Sequence, residues 1–294
     1  MLTLVTHRGP FHADEVFAVA LLKIYWPEAF KIMRSRDSAV IAAADIVVDV
    51  GREYDPARRR FDHHKNLPAE VGLRPNGIPY SSCGLVWQYL AQELKIDPLI
   101  YQRFDRVVAQ PIDASDSGFD LFEARVPGVK PYSIGKVIDS FMPFTDDPVL
   151  FDQGFFKALD LAESLVRAEL KLAELITSHE QELKTLYQAA ADRRVVVSDH
   201  YLKIDRITEE LPELLYIVEP SAQPGHWQVI AIRQKPDAYT LRRPLPEAWV
   251  ASDSDVAHIT GVPDAVFCHK NRFLAVAKSR EGAMALAKLA LIDA

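Results

Sequence analysis

The apolar residues of the first fifty positions fall into short runs separated by one amphipathic segment. Residues 2–6 and 45–51 are apolar runs that predict buried strands, and residues 31–35 predict a weaker strand between them. Residues 16–24 carry apolar side chains at helical spacing, and Asp14 precedes them as a candidate cap. This order of strands and helix is typical of a Rossmann-like open, mainly parallel α/β sheet.

The second half of the chain changes its pattern twice. Residues 151–191 contain no proline and carry apolar residues at helical spacing, which predicts one or two helices that act as a connector. From residue 193 onward, short apolar runs and a final helix from Ser279 predict a second, smaller α/β domain. We therefore expect three parts: a catalytic domain over 1–150, a helical connector over 151–192 and a substrate-binding domain over 193–294.

Histidines and carboxylates follow the predicted strands of the first domain. His7 follows the first strand, Asp49 lies near the end of a later one, and Asp62 and His63 follow residues 60–61. Ligands of open α/β sheets bind beyond the carboxyl ends of the strands, so these side chains should converge on one edge. Neighbouring residues of a strand point to opposite faces. If the backbone turns after the strand, one histidine of the His63-His64 pair can bind a metal while the other faces a substrate.

The histidines and carboxylates at these strand ends predict a metal site. Imidazole and carboxylate together suit Mn²⁺, Zn²⁺ or Fe²⁺, and we expect Mn²⁺ first. A shared carboxylate such as Asp49 can bridge two ions about 3.5–4 Å apart, which activate water for phosphoryl transfer. Taken singly, Asp14 is a helix cap, Asp49 a turn residue, and His7 and His12 solvated loop histidines. Their joint position at consecutive strand ends favours the metal site.

Composition narrows the class of protein. The 294 residues are 49% hydrophobic, which is enough for full cores, and the net charge of −7 argues against non-specific coating of nucleic acid. No apolar run is long enough to span a bilayer, and the N-terminus has no secretory pattern. Two distant cysteines, Cys83 and Cys268, favour a reduced, cytoplasmic setting.

The order of these motifs resembles that of the DHH phosphoesterase superfamily. The residues that carry the resemblance are His7-(x4)-His12-x-Asp14, Asp49 in Val-Val-Asp-Val-Gly, Asp62-His63-His64 and Asp116 in Asp-Ser-Gly-Phe. Residues 6–15 and 61–64 are similar to the MYG family, named after the melanocyte proliferating gene. The similarity continues through residues 243–249, 267–269 and 278–283, and so extends along the chain.

The resemblance implies a role for each motif residue. His64 would face the substrate phosphate, and Asp62 would orient His63. The superfamily usually has an aspartate where His12 stands, which favours a softer ion than Mg²⁺. Asp113 competes with Asp116 for the last ligand position, and the Asp-Ser-Gly-Phe match favours Asp116. The implied metal ligands are His7, His12, Asp14, Asp49, His63 and Asp116.

The resemblance also implies an activity. The expected protein is a metal-dependent phosphodiesterase, a 3′–5′ exonuclease that hydrolyses RNA or short oligonucleotides through a water activated by two divalent cations, Mn²⁺ or else Mg²⁺. One alternative is a hydrolase of a small phosphorylated metabolite, such as a nucleotide or pyrophosphate, which the acidic net charge favours. The other is a non-catalytic regulatory protein that binds a metal or a nucleotide. No membrane partner is expected, and a homodimer is left open.

Basic residues of the second domain are candidates for substrate binding, because this domain closes over the metal site in the superfamily. These candidates are His269, Lys270, Arg272 and Arg233. In the first domain, the run Arg58-Arg59-Arg60 precedes the Asp-His-His motif. This run either steers a polyanion toward the site or is a solvated strand edge.

Overall fold

The computed structural model describes residues 1–26, 30–64, 67, 69–236, 238–250 and 256–292. The chain folds into two compact units, Met1–Ala173 and Glu174–Ala294, each with one five-stranded sheet. The expected α/β class is confirmed. The finer division at residues 150 and 192 stays a prediction.

The sheet of the first unit is mainly parallel, as the continuous apolar runs predict. Strands β1, β2, β3 and β5 run parallel, and β4 pairs antiparallel with β5 at the edge, in the order β2-β1-β3-β5-β4. Leu2–Thr6 pairs with Phe30–Arg34 in register Leu4 to Ile32. The strands are β1 Leu2–Thr6, β2 Phe30–Arg34, β3 Ile46–Val48, β4 Tyr54–Asp55 and β5 Arg60–Phe61.

Helices cover both faces of this sheet. Leu4 and Ile46 pack into the main core, whereas Val5 and Val47 pack on the opposite face. Both faces of β1 and β3 are therefore buried, which explains their uninterrupted apolar sequences. The helices are α1 Ala13–Tyr25, α2 Ser38–Ala43, α3 Ala69–Gly72, α4 Ser82–Glu93, α5 Pro98–Phe104, α6 Gln110–Asp116, α7 Ile134–Asp139 and α8 Pro148–Ala189, with a π-helical turn Asp105–Ala109 between α5 and α6.

The start of α1 differs from the prediction. The N-cap is His12 rather than Asp14, and the Glu15 carboxylate accepts a hydrogen bond from the His12 backbone N–H at 2.8 Å. Asp14 instead occupies the second helical position, where its side chain is fully buried. The Asp14 side chain therefore does not cap the helix.

The long helix predicted from the apolar spacing of residues 151–191 is a single continuous helix, α8.

The sheet of the second unit is mainly antiparallel. Its order is β6-β7-β8-β10-β9, and only β6 and β7 run parallel. Helix α10 packs its buried residues Ala283, Leu286, Ala287 and Ala290 against this sheet. The elements are β6 Val195–Val197, β7 Tyr216–Pro220, β8 Trp227–Ala231, α9 Val256–Thr260, β9 Ala265–Cys268, β10 Leu274–Ala277 and α10 Arg280–Ile292. Within the described residues, no helix combines the length and the apolar character needed to cross a membrane.

Candidate metal centre

The carboxyl ends of three parallel strands meet at one edge of the first sheet. His7 directly follows β1, Asp49 follows β3, and the Asp62-His63-His64 motif follows β5. The Asp49 N–H donates to the Phe61 carbonyl at 3.0 Å, which ties the last two strand ends together. Asp49 has a φ of 57°, a left-handed conformation that turns the chain at the strand end.

Two helices bring the remaining acidic groups to this edge. The first turn of α1 carries Asp14 and Glu15, directly after His12. The last residue of α6 is Asp116. We call the group of His7, His12, Asp14, Glu15, Asp49, His63 and Asp116 the strand-edge cluster.

Short distances link the members of the strand-edge cluster. The two carboxylate oxygens of Asp49 face different histidines: Oδ2 lies 3.3 Å from His7 Nε2, and Oδ1 lies 3.2 Å from His63 Nε2. His63 Nε2 is also 3.1 Å from Asp116 Oδ2 and 3.7 Å from Asp14 Oδ2. Asp49 therefore stands between the two histidines, where a bridging carboxylate would stand.

Two of these atoms are buried without a hydrogen bond. Both carboxylate oxygens of Asp14 have no hydrogen-bond partner among the described residues. Asp14 and Glu15 are fully buried. A buried carboxylate without a partner is costly, because burial favours the neutral form unless a cation compensates. The donor atoms are the oxygens and imidazole nitrogens that Mn²⁺ and similar ions accept, so the residues fit a divalent cation.

Subsets of the cluster, in one case together with His64, are close enough to hold an ion. Four groups of three residues each offer ligand atoms within 4.8 Å of one another. Asp49 and Asp14 each belong to two of them. The groups are His7, His12 and Glu15; Asp49, His63 and His64; His12, Asp14 and Asp116; and Asp14, Glu15 and Asp49.

Ionisation in the cluster follows from burial and close charges. Burial lowers the pKa of His7, but hydrogen bonding and charge from Asp49 and Glu15 outweigh this effect and raise it to about 9. Burial, the charge of Asp49 and the charge of Glu15 together raise the pKa of Asp14 well above its usual value. Burial also acts to raise the pKa of Asp49, but His63 and His7 hold it below its usual range. Where cations are absent, His7 and Asp14 therefore bind protons more tightly than usual, and Asp49 binds its proton less tightly.

The hydrogen bonds of Asp62 go to His64 rather than to His63. Asp62 Oδ1 lies 2.8 Å from His64 Nδ1 and accepts the His64 backbone N–H at 2.9 Å, while Oδ2 accepts the Arg52 N–H at 2.6 Å. The prediction that Asp62 orients His63 does not match these contacts. Asp62 instead holds His64, whose side chain is 56% exposed. Both border a cavity of about 200 Å³.

Asp113, the competitor of Asp116, lies in a different environment. Its carboxylate accepts hydrogen bonds from Arg74 Nη2 at 2.7 Å, Ser81 Oγ at 2.5 Å and the Gly84 N–H at 3.0 Å. Asp116, by contrast, lies in the strand-edge cluster and borders a second cavity, of about 290 Å³, together with His12 and Asp14.

Sequence reasoning did not single out Glu15 or Ser82. Glu15 Oε1 lies 2.8 Å from His7 Nε2. Ser82 Oγ donates to Asp49 Oδ1 at 3.1 Å and to the Phe61 carbonyl at 3.0 Å. The position of Glu15 three residues after His12 is a signal for a capping role, but only the three-dimensional structure brings it to His7.

The arginine run of residues 58–60 is engaged in local contacts. Arg58 forms an ion pair with Glu53 at 2.5 Å, and the Arg59 guanidinium lies 4.7 Å from the ring centre of Trp26. Arg60 is buried and donates to backbone carbonyls, including that of Ala44 at 2.8 Å. These contacts favour a structural role for the run.

The predicted substrate residues of the second unit lie at one edge of its sheet. His269, Lys270 and Arg272 belong to the turn between β9 and β10, and Arg233 follows the neighbouring strand β8. Lys270 and Arg233 are exposed, and Arg272 has a φ of 59°. The antiparallel pairing of β8 with β10 brings the end of one beside the start of the other.

Comparison with known proteins gives full-length matches. Relatives include the MYG1 protein of Dictyostelium discoideum, which is 28% identical over 97% of this chain and 95% of its own length. The MYG1 exonuclease of Bos taurus is 30% identical over 97% of this chain and 84% of its own, and that of Homo sapiens is 28% identical over 97% and 85%. No solved structure matches. The family model for MYG1 exonucleases, described as uncharacterised protein family UPF0160, matches residues 3–291, and the chain therefore belongs to this family.

Proposed function

We propose that the protein is a metal-dependent phosphodiesterase that removes nucleotides from the 3′ end of RNA or of short oligonucleotides. Membership of the family supports a nuclease, since the relatives from Bos taurus and Homo sapiens are named exonucleases. The order of the motifs supports placing the family within the DHH phosphoesterase superfamily.

The unpartnered carboxylate of Asp14 is the observation that carries the metal dependence. Its two oxygens are buried among Asp49, Glu15 and Asp116, which are also acidic. Only a proton or a cation can compensate such a group. We assign two divalent cations, Mn²⁺ before Mg²⁺, to the site because three imidazoles join the carboxylates. The ligands would be His7, His12, Asp14, Asp49, His63 and Asp116.

The protein's own residues prepare the site for phosphoryl transfer. When bound, the cations would neutralise phosphate charge and lower the pKa of water. Asp49 holds its two oxygens toward His7 and His63, so one side chain serves both halves of the site. Asp62 engages His64 at Nδ1, which leaves Nε2 as the nitrogen that can contact a phosphate oxygen.

The proposed reaction is a hydrolysis at the terminal phosphodiester. The oxygen of water bonds to phosphorus while the bond from phosphorus to the 3′ oxygen breaks. The products are a nucleoside 5′-monophosphate and a chain shortened by one nucleotide, whose new 3′ hydroxyl takes up a proton. His64 donates from Nε2 to the phosphate and stabilises its charge. In the second unit, His269, Lys270, Arg272 and Arg233 are proposed to bind further phosphates of the strand.

Release of mononucleotides from labelled RNA tests the proposal. The protein is treated with EDTA, reloaded with Mn²⁺ or Mg²⁺, and incubated with RNA labelled at its 3′ end. We expect labelled nucleoside monophosphate from the first turnover with Mn²⁺, and none in EDTA. RNA labelled at its 5′ end should give a ladder that shortens stepwise.

Assays with further substrates distinguish the proposed nuclease from a hydrolase of small metabolites and from a non-catalytic binding protein. Dinucleotides, nucleotides and pyrophosphate are incubated beside the RNA. Hydrolysis of the small compounds alone would replace the nuclease with a hydrolase of small phosphorylated metabolites. Mn²⁺ binding without hydrolysis of any of them would indicate a non-catalytic binding protein, and either result contradicts the proposed function.

A further inference from the structure

Two arginines border the small cavity at the strand-edge cluster. The cavity of about 200 Å³ is lined by Arg36 and Arg52 together with His7, His12, Asp49, Asp62 and His64. Both arginines are exposed. Within the described part of the chain, neither guanidinium has a carboxylate at ion-pair distance. Two guanidinium groups therefore border the cavity without an ion-pair partner among the described residues, although Asp49 and Asp62 also line it.

Arg36 is held in place next to a histidine of the cluster. Its Nε donates to the Arg8 carbonyl at 3.0 Å, and its Nη2 lies 3.4 Å from His7 Nδ1. The first contact leaves most of the guanidinium N–H groups available, because this side chain has five donors. The Arg36 guanidinium is therefore positioned beside a proposed metal ligand with donors available for an anion.

The neighbouring arginines are already occupied. Arg34, two residues before Arg36, pairs with Asp152 at 2.9 Å and donates to the Gly9 carbonyl at 2.6 Å. Arg58 pairs with Glu53, and Arg60 is bound to backbone carbonyls. Arg36 and Arg52 thus keep guanidinium N–H groups available for a ligand, unlike Arg34, Arg58 and Arg60.

The sizes of the cavities indicate what can bind. Pockets for drug-sized ligands measure about 300–1,000 Å³, so the cavity of about 200 Å³ suits a phosphate group rather than a whole nucleotide. Arg36 also borders a larger cavity of about 760 Å³, whose wall includes Arg8, Pro10 and Phe151 as well as the carboxylates of Asp37 and Asp146. Arg36 thus lies where a phosphate in the first cavity would be joined to a nucleoside in the second.

We propose that Arg36, assisted by Arg52, binds the phosphate of the nucleotide that the site processes. The planar guanidinium donates two parallel hydrogen bonds to phosphate oxygens. His64 contacts the same phosphate, so the group is held by the protein as well as by the cations. The inference rests on the proposed function for its substrate, but phosphate binding by Arg36 can be measured without turnover.

Calorimetric titration of the Mn²⁺-loaded protein tests Arg36 directly. The ligands are AMP, inorganic phosphate and adenosine, and the variants are Arg36→Ala, Arg36→Lys and Arg52→Ala. Arg58→Ala is the matched control, since it removes an exposed arginine of the same unit that is paired with Glu53. We expect Arg36→Ala to weaken AMP binding by roughly 10–100-fold, the loss of a charge-assisted contact. Arg36→Lys should recover part of it, and Arg52→Ala should lose less.

Controls distinguish phosphate binding from a structural role. Adenosine affinity, and Mn²⁺ affinity measured by electron paramagnetic resonance, should be equal in wild type, Arg36→Ala and Arg58→Ala. Wild-type affinity for AMP in Arg36→Ala would overturn the inference, and so would loss of Mn²⁺ binding in that variant. AMP binding that depends on Arg36, in a protein that hydrolyses no RNA, would refute the proposed function and leave this inference standing.

Discussion

The first unit buries two groups of carboxylates, and they differ in how the protein satisfies them. In the strand-edge cluster, Asp14 has no hydrogen-bond partner among the described residues. In the second group, Arg74 lies between Asp105 and Asp113 and binds each at 2.7 Å through Nη2. We call Arg74, Asp105 and Asp113, with Ser81, Gly84 and Gln110, the Arg74 network. Every carboxylate oxygen of Asp105 and Asp113 accepts at least one hydrogen bond.

The two groups of carboxylates differ in role: those of the Arg74 network stabilise the fold, whereas those of the strand-edge cluster are suited to bind a cation. Burial raises the pKa of Asp113 to about 6, although Arg74, Ser81 and the Gly84 N–H, which bind its carboxylate, favour the ionised form. Asp14 lacks such donors, and burial with neighbouring negative charge raises its pKa well above the usual value. Of two buried aspartates within one unit, the one without donors is the one suited to a cation.

The largest expected effect is the loss of turnover in Asp49→Ala. Asp49 faces both His7 and His63, so its removal affects both proposed cations, and turnover should fall by roughly 10³-fold or more. The fold should survive, because the Arg74 network and the apolar core are unchanged. Release of mononucleotide and circular dichroism melting measure the two effects. Asp45→Ala, an exposed aspartate just before the same strand, is the control; turnover unchanged in Asp49→Ala would contradict a two-metal site.

Substitution of Arg74 should have the opposite effect to Asp49→Ala: it should destabilise the fold and leave the metal site intact. Arg74→Met leaves Asp105 and Asp113 buried beside each other without their cation, and we expect the free energy of unfolding to fall by about 3–5 kcal/mol. Urea titration in EDTA measures this loss. Mn²⁺ affinity of the folded fraction should stay at the wild-type value. Arg58→Met, which removes an exposed ion pair, should cost about 1 kcal/mol or less; an equally small loss in Arg74→Met would show that the network does not stabilise the fold.

The fold and the meeting of the strand ends could be predicted because both depend on simple patterns. Continuous apolar runs indicated a parallel sheet, and parallel strands bring residues such as His7, Asp49 and His63 to one edge. The contacts of Asp62 could not be predicted in the same way. Asp62 binds His64 because the backbone turns after β5, and this turn leaves no clear signal in the sequence.

The Arg74 network was also beyond sequence reasoning. Arg74 lies 31 residues before Asp105 and 39 before Asp113 in the chain, and the π-helical turn Asp105–Ala109 lies between the two aspartates. Each alone has the appearance of an ordinary surface charge. Only packing reveals that Arg74 is 4% exposed and that Asp113 is fully buried.

A smaller effect on stability is expected from a substitution of Gly84, whose backbone N–H donates to the Asp113 carboxylate in the Arg74 network. Gly84 lies in the first turn of α4, and a Cβ at this position would overlap Asp113 Oδ2 and come within 2.5 Å of Arg74 Nη2. Gly84→Ala should therefore lower the free energy of unfolding by about 1–3 kcal/mol through overpacking. Gly72→Ala is the matched control, because its Cβ would make an ordinary contact of 3.7 Å with Leu67. Equal urea midpoints for the two variants would mean that the network accommodates the methyl group without loss.

The smallest effect is a change in how stability depends on pH in Asp14→Asn. In EDTA, a carboxyl group whose pKa is raised in the folded state favours folding below its unfolded pKa of about 3.8. This contribution is lost as pH rises toward the folded value, so wild type should lose stability between pH 5 and pH 8. Asn cannot ionise, so Asp14→Asn should lose less, with a difference of about 1 kcal/mol at pH 8. His7, whose pKa is raised to about 9 in the folded state, keeps its proton over this range in both folded proteins, and its contribution therefore cancels in the comparison.

Urea midpoints at the two pH values measure the difference, and added Mn²⁺ should reverse its sign. With the ion present, wild type gains binding energy that Asp14→Asn lacks, and its midpoint should rise above that of the variant. Asp113→Asn is the contrasting variant: it removes a charge that Arg74 already compensates, so it should be less stable than wild type with or without Mn²⁺. If Asp14→Asn were also the less stable protein in EDTA at pH 8, Asp14 would be a structural carboxylate like Asp113, and the distinction between the two groups would fail.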